Sequence, residues 1–192
     1  MLETLDPAST SLAKPFVEPL TLTDAAAAQL DGRINVRSYI DRLLAAGFAG
    51  DVLVIIARAL PVQLAVAWCC ECLRYGLDGA GAALEAERAA VSLAEQCLQE
   101  PNDEIRQLCL EFAERARRRT AGAWLVTAAA WADGYLTPPT VSKVPAPPEA
   151  VAAAVVAALK LAAVRTGADE AQRLQMFASR ALAVFAPRPV NR

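Results

Sequence analysis

The run Asp103-Glu-Ile-Arg-Gln-Leu-Cys-Leu-Glu-Phe-Ala-Glu-Arg-Ala-Arg-Arg118 carries the plainest structural signal in this chain. Ile105, Leu108, Cys109, Phe112, Ala113 and Ala116 recur at i, i+3 and i+4 spacing, while Glu104, Gln107, Glu111, Glu114 and Arg115 fill the other positions. A period near 3.6 with one apolar stripe predicts a surface helix that buries one face. Pro101-Asn102 ahead of it supplies a break and a side-chain cap.

On the C-terminal side, Thr120 is placed to cap a helix reaching Ala132, in which Trp124, Leu125, Ala128 and Trp131 form a wide apolar band. Such a helix requires partners on more than one side. Prolines 138, 139, 145, 147 and 148 then deny residues 133–148 both helix and central strand, so an extended brace along a surface is expected there. Two helices close the chain: Glu149–Arg165, apolar nearly all round, and Asp169–Phe185, which offers Leu174, Phe177, Ala178, Ala181, Leu182 and Phe185 to a core. On the N-terminal side the spacing predicts Leu84–Leu98, and Val62–Tyr75 with Pro61 in its first turn. Before these come Val52–Leu60 started by Asp51, Tyr39–Ala46 capped by Ser38 and ended by Gly47, and Asp24–Leu30 capped by Thr23. Residues 1–20, with Pro7, Pro15, Pro19 and a Ser-Thr-Ser run, are expected to form an extended or mobile arm.

No period-two strand is present, and the expected fold is all-α. It is a multi-helix bundle or a short HEAT-like helical array, with a proline-rich extended segment before two C-terminal helices. One helical domain is expected over 21–186, followed by a short tail at 187–192. The echo between Trp68-Cys69-Cys70-Glu71 and Leu108-Cys109-Leu110-Glu111, 40 residues apart, has HEAT-type spacing but too few matches to establish a repeat.

Of 192 residues 43 are alanine and none is histidine. Alanine lets helices approach closely, and the absence of histidine removes the commonest general base and metal ligand, so Ser/His/Asp catalysis is excluded. No Walker, Rossmann, paired-carboxylate or EF-hand pattern takes its place. Nineteen basic and 21 acidic side chains, with a pI near 5.3, offer no global attraction for phosphate backbones, which argues against nucleic acid as a partner. The most apolar run, Ala150–Val164, contains Lys160 and is shorter than the roughly 17–25 residues that span a bilayer, so no membrane span is expected. Cys69, Cys70, Cys72, Cys97 and Cys109 form an odd set on predicted helices, and the start of the chain lacks a signal-peptide pattern. Reduced thiols and a cytoplasmic location are the expectation.

Trp68-Cys69-Cys70-Glu71-Cys72 contains a Trp-Cys-x-x-Cys string. A thiol oxidoreductase would place its first cysteine at a helix N-terminus after a strand, whereas Cys69 lies about two turns inside a predicted helix. The cysteines therefore read as small core residues. A zinc site joining Cys69 and Cys72 to Cys97 and Cys109 lacks a second closely spaced pair, and neither metal nor other cofactor is expected. Arg115, Arg117, Arg118 and Arg119 suit a helix C-terminus paired with Glu111 and Glu114, or else a contact for a phosphate or an acidic partner. Trp124, Trp131 and Tyr135 suit either a core or an interface. The candidate interaction residues are thus Trp124, Trp131, Tyr135, Arg117, Arg118 and Arg119.

Ala59-Leu60-Pro61, Trp68 with Glu71 and Arg74, Pro101 with Arg106, and Ala123-Trp124 running to Ala129-Ala130-Trp131 make a recognisable set. Gly134 with Leu136, Pro138-Pro139, Val144-Pro145 and the Ala-Val-rich helix after Pro148 complete it. Over about residues 55–186 the chain resembles an uncharacterised family of bacterial helical proteins often encoded among type VI secretion genes. It departs from that pattern at Asp133-Gly134-Tyr135, where a serine-glycine-rich turn is usual. The resemblance implies a bacterial cytoplasmic accessory or adaptor linked to secretion, with an immunity-like or chaperone role as a variant.

The expected function is a non-enzymatic protein-protein interaction module whose partner is a secretion component, an effector or a toxin. A homodimer is compatible with this reading. The alternatives are an inhibitor or chaperone of a cognate toxin and an enzyme using carboxylates such as Asp51, Glu71 or Asp133 with arginines.

Overall fold

A computed structural model describes residues 11–75, 77, 81–132, 134–137, 141–164 and 170–184. Among these residues ten helices form: α1 (Lys14–Val17), α2 (Asp24–Ala27), α3 (Val36–Ala45), α4 (Ala49–Ala59), α5 (Val62–Tyr75), α6 (Ala82–Gln99), α7 (Asp103–Arg115), α8 (Ala121–Ala132), α9 (Pro148–Val164) and α10 (Glu170–Val184). Two isolated β-bridges and no strand occur among the described residues, and the fold is all-α.

Side-chain caps set several boundaries. Thr23 Oγ1 accepts the Ala26 amide at 3.3 Å, Asn102 Oδ1 the Ile105 amide at 2.9 Å and Thr120 Oγ1 the Ala123 amide at 3.2 Å, which start α2, α7 and α8 as expected. The cap of α3 is Asn35 and not Ser38. Asn35 Oδ1 accepts the Ser38 amide at 2.7 Å, so the helix begins three residues earlier. Gly47, with φ of 84°, occupies the left-handed conformation expected after α3.

The chain contacts divide into two compact units, one within Met1–Leu60 and Ala171–Arg192, the other Pro61–Glu170. In the first, Asp51 is buried in the opening turn of α4 and ties down the α2 cap, accepting the Thr23 amide at 2.7 Å and its hydroxyl at 3.0 Å. Tyr39 is fully buried on α3 and donates to the Ala26 carbonyl at 2.7 Å. An extended or mobile arm is not what Ser11–Leu20 form. The Ala13 amide donates to Ile34 O at 2.9 Å, the Val36 amide to Ser11 O at 3.0 Å, and Phe16 and Val17 on α1 are buried. The prolines fail to keep this segment extended because Pro15 sits in the first turn of α1, where a missing amide leaves nothing unpaired. Residues 1–10 lie outside the described residues, as do Asp133, Pro138, Pro139, Arg165, Asp169, Phe185 and the tail at 187–192.

The second unit is built around α8. This helix carries no charge and is apolar on every side, and it packs against α5, α6, α7 and α9. Contact with helices distant in sequence distinguishes this bundle from a solenoid, in which each repeat meets only its neighbours. Gly122 sets the closest approach. A Cβ there would lie 2.6 Å from the Ala90 Cβ, so α6 and α8 meet at a separation only glycine permits. The apolar α9 covers α8 and α5, while α10 from Ala171 onward groups with the first unit. On α10, Phe177, Ala178, Ala181 and Leu182 are buried and Leu174 is half-buried.

The proline segment turns back on itself where an extended brace is expected. The Leu136 amide donates to Val144 O at 2.8 Å and the Ala146 amide to Gly134 O at 2.7 Å, with Tyr135 and Pro145 bridged antiparallel. Gly134, with φ of 108°, permits the reversal that leads out of α8.

Candidate interaction surface

α7 stops at Arg115, three residues short of the expected end at Arg118, because the chain closes a hydrogen-bonded turn there. The Arg117 amide donates to Glu114 O at 2.8 Å and the Arg118 amide to Ala113 O at 3.0 Å, the two bonds that define a Schellman motif. The residue after the C-cap of such a motif is usually glycine. Here it is Arg117, and both Arg117 and Arg118 hold φ of 50°. The Glu111 and Glu114 pairing expected for these cations does not form: Glu111 accepts instead from Gln107 Nε2 at 3.0 Å. Among the described residues, the guanidinium groups of Arg117, Arg118 and Arg119 meet no carboxylate.

Beside this turn lies a cleft of about 430 Å3 between the start of α6, the α7–α8 turn and the end of α9. Leu84, Phe112, Leu161 and Val164 give it an apolar lining, and Arg119 stands in its wall. Val164 remains 52% exposed. Glu87, also in the lining, is buried and accepts the Gly122 amide at 2.8 Å. Its carboxylate thus caps the positive N-terminal end of α8 from a neighbouring helix.

The other end of α8 is closed by Arg106, 1% exposed, which sequence reasoning noted only within the family pattern. Its Nε donates to Ala130 O at 3.2 Å and its Nη2 to Tyr135 O at 3.4 Å and to Thr137 O. A cation buried among the last carbonyls of a helix satisfies groups that have no partner within the helix and matches the dipole. The buried stripe of α7 is therefore rotated from its expected position. Ile105, Arg106, Cys109, Leu110 and Ala113 are buried, whereas Leu108 is 44% exposed and Phe112 half-buried. An arginine beside an apolar stripe normally reads as solvated, so helical periodicity did not mark it as buried.

The six candidate residues do not converge. Arg117, Arg118 and Arg119 lie at the start of α8, while Trp131 and Tyr135 lie at its far end, roughly 16 Å away at 1.5 Å per residue. Trp124 and Trp131 are half-buried on α8, and the Trp131 Nε1 is buried with no hydrogen-bond partner among the described residues. Tyr135 is half-buried between two cations, with Arg106 5.5 Å and Lys143 4.9 Å from its ring centre.

All five cysteines are free and buried. Burial and the charges of neighbouring thiols push Cys69 far above the usual thiol range, and burial together with the nearby Glu95 carboxylate pushes Cys70 up to about 12. A hydrogen bond with Cys97, followed by burial, raises Cys109. Thiols held protonated in this way are poor nucleophiles and poor ligands. Among the described residues no three His, Cys, Asp or Glu side chains are placed to hold a metal ion. Of the carboxylates weighed for catalysis, Asp51 is engaged by Thr23, Glu71 is exposed on α5, and Asp133 lies outside the described residues. Among the described residues no helix is long and apolar enough to cross a membrane.

No curated protein and no solved structure matches this chain. The span from α3 to α10, which contains the arginine turn, the cleft and both charged caps of α8, does have a match. Residues 39–185 correspond to a family of unknown function, DUF6931, and the chain belongs to that family.

Proposed function

We propose that this protein is a non-enzymatic protein-protein interaction module, a bacterial cytoplasmic accessory or adaptor associated with secretion. The observation that carries the interaction reading is the arginine turn at Arg117-Arg118-Arg119. Two arginines occupy a backbone conformation that L residues rarely adopt, and none of the three finds a carboxylate among the described residues. Strain and unpaired charge held together at a surface are features that contact sites retain at the expense of stability. The bacterial and secretion parts of the reading rest on the resemblance carried by Ala59-Leu60-Pro61, Trp68, Pro101 with Arg106 and Ala123-Trp124.

Affinity purification of the tagged chain from a lysate of its source organism, at low and at high salt, tests the reading. A secretion component retained at low salt and released at high salt is the expected result. Retention of a toxin or effector assigns the protein as an inhibitor or chaperone instead. Recovery of the chain with no bound protein at either salt concentration, together with turnover in an activity screen, would overturn it.

A further inference from the structure

The cleft and the arginine turn are adjacent, and their chemistries are complementary to one kind of occupant. We propose that they dock an acidic amphipathic segment of a partner protein, whose apolar side chains enter the cleft while its carboxylates pair with Arg117, Arg118 and Arg119. This rests on the interaction reading above and names the site and the partner chemistry for it.

The cleft is a surface groove and not an enclosed chamber, since Ala83, Ala86 and Val164 in its lining are exposed. Leu84, Phe112 and Leu161 are half-buried, leaving apolar area on three helices that only an incoming apolar group would cover. Arg119 lies in the lining itself, and Arg117 and Arg118 precede it in the same turn. One carboxylate has two oxygens and can satisfy at most two guanidinium forks, so three successive arginines that meet no carboxylate among the described residues call for more than one acid. A single-headed amphiphile such as a fatty acid supplies one, whereas a peptide segment with several acids supplies the rest. Glu87 does not oppose this arrangement, because its charge is turned to the Gly122 amide at the start of α8. The stretch Pro187-Arg-Pro-Val-Asn-Arg192 of this chain has two arginines and no acid, so its charge is wrong for the groove.

The test is a fluorescence anisotropy titration of the full chain. The probe is a labelled synthetic peptide of about 14 residues made of Leu, Ala and Glu, with leucines at helical i, i+3 and i+4 spacing. The same peptide with Lys in place of Glu, and a fluorescent fatty acid, serve as comparisons. The Glu peptide is expected to bind at least about tenfold more tightly than the Lys peptide and to weaken with added salt. It should also weaken at least about tenfold in Arg117→Glu/Arg118→Glu/Arg119→Glu and in Val164→Glu. Circular dichroism confirms that the variants remain folded, and Arg117→Gly/Arg118→Gly, which removes two cations while relaxing the backbone, keeps the test sound should the charge reversals unfold the chain. Equal binding of the Lys peptide, unchanged affinity in the charge-reversed variant, or binding of the fatty acid in place of the Glu peptide would each overturn the proposal. The two readings fail differently. A lysate partner captured equally by the wild type and by the charge-reversed variant removes this site but leaves the interaction function. Binding of the Glu peptide by a chain that recovers no lysate partner and shows turnover in the activity screen leaves the groove and removes the broader reading.

Discussion

Arg117 stands where a helix end ordinarily places glycine, and its left-handed backbone carries a penalty of roughly 1–2 kcal/mol for an L residue. Arg117→Gly is therefore expected to raise stability by about 1 kcal/mol in urea unfolding; a loss would show that the arginine side chain itself holds the turn. Arg106 is the opposite case. It donates to the carbonyls of Ala130, Tyr135 and Thr137 from a fully buried position, so Arg106→Met should lower stability by about 3 kcal/mol by leaving one buried and two part-buried acceptors without this donor. Arg106→Lys, which keeps the charge but lacks the fork, should recover only part of this, and full recovery would mean that charge alone suffices. The thiols predict a pH dependence. Folding raises Cys70 from 9.0 to about 12, with Cys69 and Cys109 raised as well, so the folded state keeps protons that the unfolded chain releases above pH 9. Their contribution is fully present below pH 9 and is lost as pH rises from there toward the folded values, at no more than about 1.4 kcal/mol per pH unit for each thiol. Unfolding free energies measured between about pH 8 and 10.5 should fall along this slope, less steeply in Cys70→Ala; a flat profile would show that the thiols reach solvent.

At the scale of the element, α8 is an uncharged helix whose ends are matched by ions from its neighbours. Glu87 on α6 meets its N-terminus and Arg106 on α7 its C-terminus. This arrangement lets a helix of alanine, leucine and tryptophan sit among four others with the Gly122 amide and the Ala130 carbonyl at its ends paired. Its contact with α6 depends on Gly122. Gly122→Ala should destabilise the fold by roughly 1–3 kcal/mol, because the new Cβ would lie 2.6 Å from the Ala90 Cβ, and Ala90→Gly in the same chain should restore part of the loss. Additive losses with no restoration in urea unfolding would place the strain elsewhere. The need of α8 for partners on several sides was legible in the sequence, since twelve residues without a charge have no face to offer water. Which charges would close its ends was not, because Glu87 and Arg106 sit in helical patterns that otherwise read as solvated.

For the whole molecule, the division into two units gives the C-terminal helices separate roles. α9 covers α8 and α5 within Pro61–Glu170, and α10 joins the residues before Pro61. A fragment comprising residues 1–140 lacks α9 and would expose the apolar faces of α8 and α5, so it is expected to be insoluble or molten. A fragment comprising 61–170 retains every helix that packs against α8 and should unfold cooperatively in thermal denaturation followed by circular dichroism. A soluble, cooperatively folding 1–140 fragment would overturn the assignment of α9 to the core of this unit.

The all-α class, the helix count after Thr23 and the capping roles of Thr23, Asn102 and Thr120 were determined by local sequence alone, because periodicity and side-chain capping act within one or two helical turns. Ser38 was displaced as a cap by Asn35 three residues earlier, a competition that two neighbouring cap-forming residues leave open until the helix start is packed. The tertiary structure decided the rest. It rotated the buried stripe of α7 toward Arg106 and Leu110, ended that helix in a left-handed arginine turn, folded the proline segment back on itself and set the arginines and the two candidate residues Trp131 and Tyr135 at opposite ends of α8. The physical reason is that these features depend on which groups from distant parts of the chain meet the unpaired ends and the apolar faces of α8, and periodicity along a single helix carries no record of its neighbours.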